Sequence, residues 1–286
     1  MDFLVILVEL LKSALMGIIE GVTEWLPVSS TGHLILAQEF IRLDVFASNP
    51  MFEEMFNVVV QLGAIIAVIV LFFDKLNPFS KRKDSYLKSQ TWSLWLRVIV
   101  AIIPAGVLGL LLDDWFEANF HNFIVVSIAL VVYGILFIVI ERLNKNRTMV
   151  YNTIYDIDMK TAIKIGCFQA LSLVPGTSRS GSTILGASII KVSRPAAAEF
   201  SFFLAIPVML GASLYKGVKY LVRVGFPSLE EMLILLVGTV VAFVVSLVVI
   251  KFLMSFVQKH SFESFGWYRI ALGIILIVYY IFRYVV

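Results

Sequence analysis

The sequence predicts an all-α polytopic membrane protein, with six transmembrane helices and two re-entrant helix-loop-helix segments arranged as an inverted repeat. Three observations predict it. Of the 286 residues, 60% are hydrophobic and only 15% charged, with a mean hydropathy of +0.94, far more apolar than soluble domains. Six apolar runs are long enough to cross a hydrocarbon core of about 30 Å. Two further apolar regions are each broken midway by a polar motif containing Gly and Pro, and broken backbone at membrane depth survives only where protein buries it or water reaches it.

The elements follow in chain order. Residues 3–41 form the first re-entrant segment, interrupted by Glu20-Gly-Val-Thr-Glu24-Trp-Leu-Pro27-Val-Ser29-Ser30-Thr31-Gly32-His33. Asp2 and Glu9 stand where a signal peptide carries basic residues, and no small-residue cleavage site follows, so the N-terminus is expected in the mature chain. Three spans come next, at 56–73, 94–112 and 123–140. The second re-entrant segment, 162–190, is interrupted by Pro175-Gly-Thr-Ser178-Arg179-Ser180-Gly181-Ser182-Thr183. Spans at 200–215, 232–254 and 267–285 complete the chain; the first of these is the shortest and carries Pro207 and Gly211, which predicts a tilt or kink. Trp92, Trp95, Trp115 and Trp267 lie at span ends, as an interfacial belt does.

The two halves, 1–145 and 155–286, share the order re-entrant segment then three spans. Pro27-Val-Ser-Ser30 matches Pro175-Gly-Thr-Ser178, and Ile128-Ala-Leu130 recurs as Ile270-Ala-Leu272. Three crossings per half set the second copy upside down, with a natural binding site at the midplane between the copies. Lys75, Lys81, Arg82, Lys83, Lys88, Arg142, Lys145, Arg147, Lys160, Lys164 and Lys259 make one side basic. The opposite side holds Asp113, Asp114 and Glu117 in one loop, and Lys216, Lys219 and Arg223 in another. Positive-inside logic puts the first group in the cytoplasm and both termini outside. The net charge of +3 is spread over loops, so no nucleic-acid surface is expected. The lone Cys167 excludes an internal disulfide and a Cys-based metal site, and reads as a small apolar residue.

The chemistry concentrates in the two motifs. Glu20 and Glu24 stand one turn apart, and two close carboxylates in a poorly hydrated site must share a proton, bind a cation jointly or face a fixed positive group. Ser29, Ser30 and Thr31 supply hydroxyls as nucleophile or helix cap, and His33 a proton donor or acceptor. Arg179 offers a fork suited to phosphate oxygens, flanked by Ser178, Ser180 and Thr183, with Gly176 and Gly181 letting backbone N–H groups turn toward an anion. Together these are the parts of phosphoryl chemistry: carboxylates for a divalent cation or a proton, a nucleophile, an imidazole and an arginine for developing charge. In a membrane cavity a lipid phosphate is the expected substrate. Gln61 either lines the same cavity or bonds between helices. Glu199 is expected at the membrane interface, or facing the cavity.

At these residues the chain resembles the bacterial undecaprenyl-diphosphate phosphatase family, also called the bacitracin-resistance family. The likeness lies in Glu20 to His33, Gln61-Leu-Gly63, Pro175 to Gly181 and Glu199-Phe-Ser-Phe202, and extends over essentially the whole chain. The resemblance implies a cell-membrane hydrolase that converts undecaprenyl diphosphate to undecaprenyl phosphate and inorganic phosphate. It further implies recycling of the carrier lipid for peptidoglycan synthesis, bacitracin resistance, a divalent cation (Mg2+ or Ca2+) and an active site open to the outer face. By the same resemblance Glu20 and Glu24 are the acidic pair and tentative metal ligands, Ser30 the candidate nucleophile, His33 the motif histidine and Arg179 the phosphate-binding arginine. Asn57 stands where relatives often carry an acidic residue. A homodimer stays open. The rival reading is a polyprenyl-phosphate flippase or transporter, since inverted repeats with broken helices are common transporter architecture.

Overall fold

A computed structural model describes residues 3–120 and 122–284. Among these the chain is helical apart from connecting turns and one isolated bridge between Tyr151 and Val192. The first half comprises α1 (Phe3–Thr23), α2 (Ser30–Phe40), α3 (Asp44–Ser48), α4 (Pro50–Val59), α5 (Gln61–Leu71), α6 (Phe73–Leu76), α7 (Ser85–Phe120) and α8 (Phe123–Asn144). The second comprises α9 (Met159–Ala170), a 3-10 turn at Leu171–Leu173, α10 (Arg179–Ile189), α11 (Arg194–Arg223), α12 (Leu229–Lys259) and α13 (Glu263–Tyr284). Six stretches are long and apolar enough to span a membrane: α4 with α5, Ser85–Leu112 of α7, α8, α11, α12 and Glu263–Arg283 of α13. The chain is a multi-pass membrane protein.

The spans occupy the expected places but their ends move outward, because polar residues that hydropathy counts against a helix find partners in the protein. The fourth span is the clearest case. Expected as the shortest, it is a 30-residue helix running uninterrupted through Pro207. Ser193 caps its start, Arg194 pairs with Glu141 at 2.6 Å and Glu199 with Lys75 at 2.5 Å. Glu199 is therefore a buried tie between α6 and α11. The first span begins early for a similar reason: the Asn49 side chain caps α4 and Pro50 occupies its first turn. The expected loop carrying Asp113, Asp114 and Glu117 is the last part of α7; those side chains, like Asp2 and residue 285, lie outside the described set. Cys167 is exposed on α9; Trp92, Trp115 and Trp267 are exposed, while Trp95 is half-buried and donates to the Leu76 carbonyl at 2.8 Å.

With lipid outside, helices associate through close packing of small residues instead of a hydrophobic drive. α1 lies on α12 where Gly17 meets the Gly238 carbonyl, and α9 lies on α7 where Gly166 meets the Ala101 carbonyl. A Cβ at either glycine would overlap the facing carbonyl oxygen. α8 and α13 run antiparallel, Phe123 stacking on Tyr280 at one end and Arg142 pairing with Glu263 at the other, with Gly134 and Gly266 in mutual contact between. Outward faces are apolar, as at Leu110, Leu214, Val248 and Phe252. The largest buried cluster joins Phe200, Phe202 and Phe203 of α11 to Trp25, so the span that crosses the middle of the bundle also props the first polar loop.

Candidate active site

Each polar motif ends one helix and starts another. Glu24 N–H, one residue past α1, still bonds the Glu20 carbonyl at 3.0 Å, so the two glutamates stay one helical turn apart before the chain turns at Pro27. Ser29 then caps α2, its hydroxyl accepting from Gly32 N–H, and Ser178 caps α10 in the same way from Gly181 N–H. Both caps have positive φ, 75° and 71°, a conformation that costs a non-glycine residue about 1–3 kcal/mol and persists where the surroundings over-determine it. The capping alternative weighed for the hydroxyls thus falls to Ser29 and leaves Ser30 free for chemistry. As caps, Ser29 and Ser178 are the equivalent residues, whereas the motif match sets Ser30 against Ser178.

The two loops meet at one carboxylate. Glu24 accepts from Ser30 Oγ at 2.8 Å through one oxygen and from Arg179 Nη2 at 2.8 Å through the other. Ser30 and Arg179 are the first residues of α2 and α10, so two helix N-termini, whose dipoles favour negative charge, begin beside the same group. Arg179 is fixed from below by the Ser201 carbonyl at 2.8 Å and lies over the Trp25 ring, 5.7 Å from its centroid. Ser180 Oγ donates to the Glu24 carbonyl at 3.1 Å, tying the loops together. Its proton being spent there, Ser178 Oγ donates to Ser180 at 3.1 Å. Thr183 donates to the Arg179 carbonyl and receives a 2.6 Å bond from Ser201, so it braces the helix start instead of facing a ligand.

His33 Nδ1 donates to the Ser29 carbonyl at 2.7 Å. In the neutral ring Nε2 is then an acceptor, and Tyr268 O–H bonds it at 2.7 Å. The rings stack nearly parallel, 3° apart, beside an apolar groove of 560 Å³ lined by Thr23, Leu26, Val28 and the two rings. Thr31 is half-buried next to Ser30. Gln61 begins α5 and makes no side-chain bond to this group among the described residues; Asn57 holds Gln38 at 3.3 Å.

Glu20 differs from Glu24. Both its carboxylate oxygens are buried without a hydrogen-bond partner, and its charged neighbours are Glu24 and Arg179. Such a group demands a proton or a cation. No cluster of three or more His, Cys, Asp or Glu exists among the described residues, but a divalent cation of the Mg2+ kind is commonly held by one or two carboxylates plus substrate phosphates. Glu20 with Glu24 fits that pattern.

Motif reading gave no site role to four neighbours: Trp25, under Arg179, and Ser201, both within the motifs, and Tyr268 and Arg269, which donates to carbonyls of both loops. Arg269 had a signal, a cation well inside an apolar span, where ionisable groups normally serve a purpose.

The family model described as bacitracin resistance protein BacA matches residues 13–275. An Enterococcus faecalis protein named undecaprenyl-diphosphatase is 55% identical over 274 residues, covering 96% of this chain and 98% of its own length. Proteins of the same name from Limosilactobacillus fermentum and Streptococcus gordonii are 54% and 52% identical, each over 96% of this chain and 98% and 97% of their own. The chain belongs to the BacA bacitracin-resistance family.

Proposed function

We propose that this protein is an integral membrane phosphatase that hydrolyses undecaprenyl diphosphate to undecaprenyl phosphate and inorganic phosphate, recycling the carrier lipid for cell-wall synthesis and so conferring bacitracin resistance. The observation that carries the chemistry is the sharing of the Glu24 carboxylate between a hydroxyl from one loop and a guanidinium from the other. Near-full-length relatives at 52–55% identity, named undecaprenyl-diphosphatase, support the substrate. A flippase needs neither a hydroxyl bonded to a carboxylate nor an arginine beside it.

Ser30 is the attacking group in this reading. Its proton passes along the existing bond to Glu24 as Oγ approaches the terminal phosphorus, and polyprenyl phosphate leaves. Arg179 extends its fork to the transferring phosphoryl oxygens, aided by the N–H groups at the starts of α2 and α10. Water then attacks the phosphorus, the Ser30 P–O bond breaks as Glu24 returns its proton to Oγ, and the water's proton leaves with inorganic phosphate. His33, its tautomer set by Ser29, exchanges protons through Nε2 with Tyr268. Ser29, Thr31, Ser178 and Ser180 shape the cradle. Glu20 and Glu24 would hold a divalent cation, Mg2+ or Ca2+, which when bound supplies charge neutralisation to the diphosphate.

Two features support an inverted repeat over 1–145 and 155–286 with re-entrant segments 3–41 and 162–190. The capped, positive-φ starts of α2 and α10 are alike, and the packing is exchanged between halves, α1 on α12 and α9 on α7. The basic turns gather at one end, since Glu141 bonds Arg194 and Phe262 N–H while Lys75 bonds Glu199. That supports a cytoplasmic end there, both chain termini outside and a site serving the outer face of the cell membrane. The test is phosphate release by purified protein in detergent, where no second compartment exists. Release that stops with chelator and returns with Mg2+ or Ca2+ is expected; binding of the lipid without turnover would favour the transporter.

A further inference from the structure

Arg269 lies about two turns into α13 and is fully buried. It has no carboxylate partner among the described residues. Instead Nη1 donates to the Pro27 carbonyl at 3.1 Å, and Nη2 donates to the carbonyls of Gly176 at 2.7 Å and Thr177 at 3.1 Å. Its planar head rests over the Tyr133 ring, 5.3 Å from the centroid. The first carbonyl belongs to the loop ahead of α2, the other two to the loop ahead of α10. Thr177 directly precedes the strained cap Ser178, and Pro27 stands two residues before the strained cap Ser29.

We infer that Arg269 is the positioning residue of the site: one guanidinium holds both loops by their backbones and sets the distance at which Ser30, Glu24 and Arg179 meet. It touches neither the reacting groups nor, being enclosed, the substrate. Three bonds fanned from a rigid fork are what an ammonium cannot reproduce, because a lysine is a compact charge that satisfies one direction well and leaves another carbonyl unpaired. The fork also accounts for two serines remaining at positive φ, since the carbonyls around them are pinned from outside both helices. A buried cation without an anion is costly, and a role for it at the junction of the loops explains its place.

This inference deepens the phosphatase reading, so the test has one arm that needs no catalysis. In Arg269→Lys, purified in detergent, backbone amide exchange over 28–33 and 177–182 is expected to quicken while the spans keep their protection. Turnover of polyprenyl diphosphate is expected to fall about tenfold or more, as misplacement on the ångström scale does, with KM changed by less than about threefold. Unchanged exchange in both loops overturns the inference, as does unchanged kcat in a protein whose parent is active, and so does a loss confined to KM, which would make Arg269 a substrate contact. If the parent releases no phosphate, the phosphatase reading fails and the exchange arm alone decides. Should Arg269→Lys not fold, Gly181→Ala serves: its Cβ would sit 3.0 Å from Arg269 Nη1 and 3.2 Å from Ser178 Cβ, so the guanidinium and the cap it braces must move apart. The same split of kcat from KM is then expected, and an unchanged kcat overturns the proposal.

Discussion

Removing Arg179 should harm stability and turnover by separable routes. The Arg179–Glu24 pair is 2.8 Å long with side chains only 10% and 8% exposed, so solvent screens it little. Arg179→Gln leaves the Glu24 carboxylate buried with one hydroxyl donor, and breaking a buried pair in this way costs about 3–5 kcal/mol. The remaining Ser30 bond keeps the cost near the lower figure. Adding Glu24→Gln removes the stranded charge, so the double variant should regain about 1–3 kcal/mol relative to Arg179→Gln, a coupling of the size that contacting residues show. Turnover should behave otherwise. Losing a preorganised donor to developing charge costs about 10²–10³-fold, and the double variant, lacking the proton acceptor too, should be no more active than either single one. Thermal unfolding followed by tryptophan fluorescence gives the first quantity and phosphate release the second. A double variant less stable than Arg179→Gln, or activity recovering with stability, would refute the assignment of Glu24 to both roles.

The other expectations use single substitutions. Ser30→Ala should lower kcat by about 10³-fold or more, as loss of a nucleophile does, and residual turnover within tenfold of the parent would transfer the attack to water. Gly166→Ala places a methyl against the Ala101 carbonyl and should destabilise the protein by about 1–3 kcal/mol; an unchanged Tm would contradict the close α7–α9 contact. Asp158, in the turn before α9, accepts from Thr161 N–H, which with the Thr161 hydroxyl and nearby lysines holds its carboxyl below its ordinary value of 3.8. A depressed carboxyl contributes stability above the ordinary value that is lost as pH falls through the folded one. The decline of Tm below about pH 4 should therefore be shallower in Asp158→Asn, and an identical decline would remove Asp158 from that transition.

The span count was legible because each span carries a long apolar run, and the loop sites because Pro and Gly interrupt such runs only where chemistry or turns require it. What escaped the sequence depends on partners far along the chain. The first turns of α11 looked too polar for a span because Glu141 and Lys75, which neutralise Arg194 and Glu199, lie 53 and 124 residues away. The motif match Pro27-Val-Ser-Ser30 with Pro175-Gly-Thr-Ser178 followed the prolines, whereas the caps align Ser29 with Ser178, so composition gave the loops but backbone conformation gave their register. Glu24, Ser30 and Arg179 were singled out by their motifs, yet their sharing of one carboxylate needed the fold. Arg269 announced itself as a lone cation inside an apolar span, but its three partners are backbone carbonyls, so no side-chain pattern tied it to the two loops.

The account depends on two loops from different halves forming one hydrolytic centre. The most direct measurement is phosphate release from long-chain polyprenyl diphosphate by detergent-purified parent, Glu24→Gln and Arg179→Gln, assayed together with Mg2+. The parent should turn over, and each variant, altered on a different loop, should fall by about two orders of magnitude or more. A parent that binds the lipid without releasing phosphate, or either variant working near the parental rate, would contradict it.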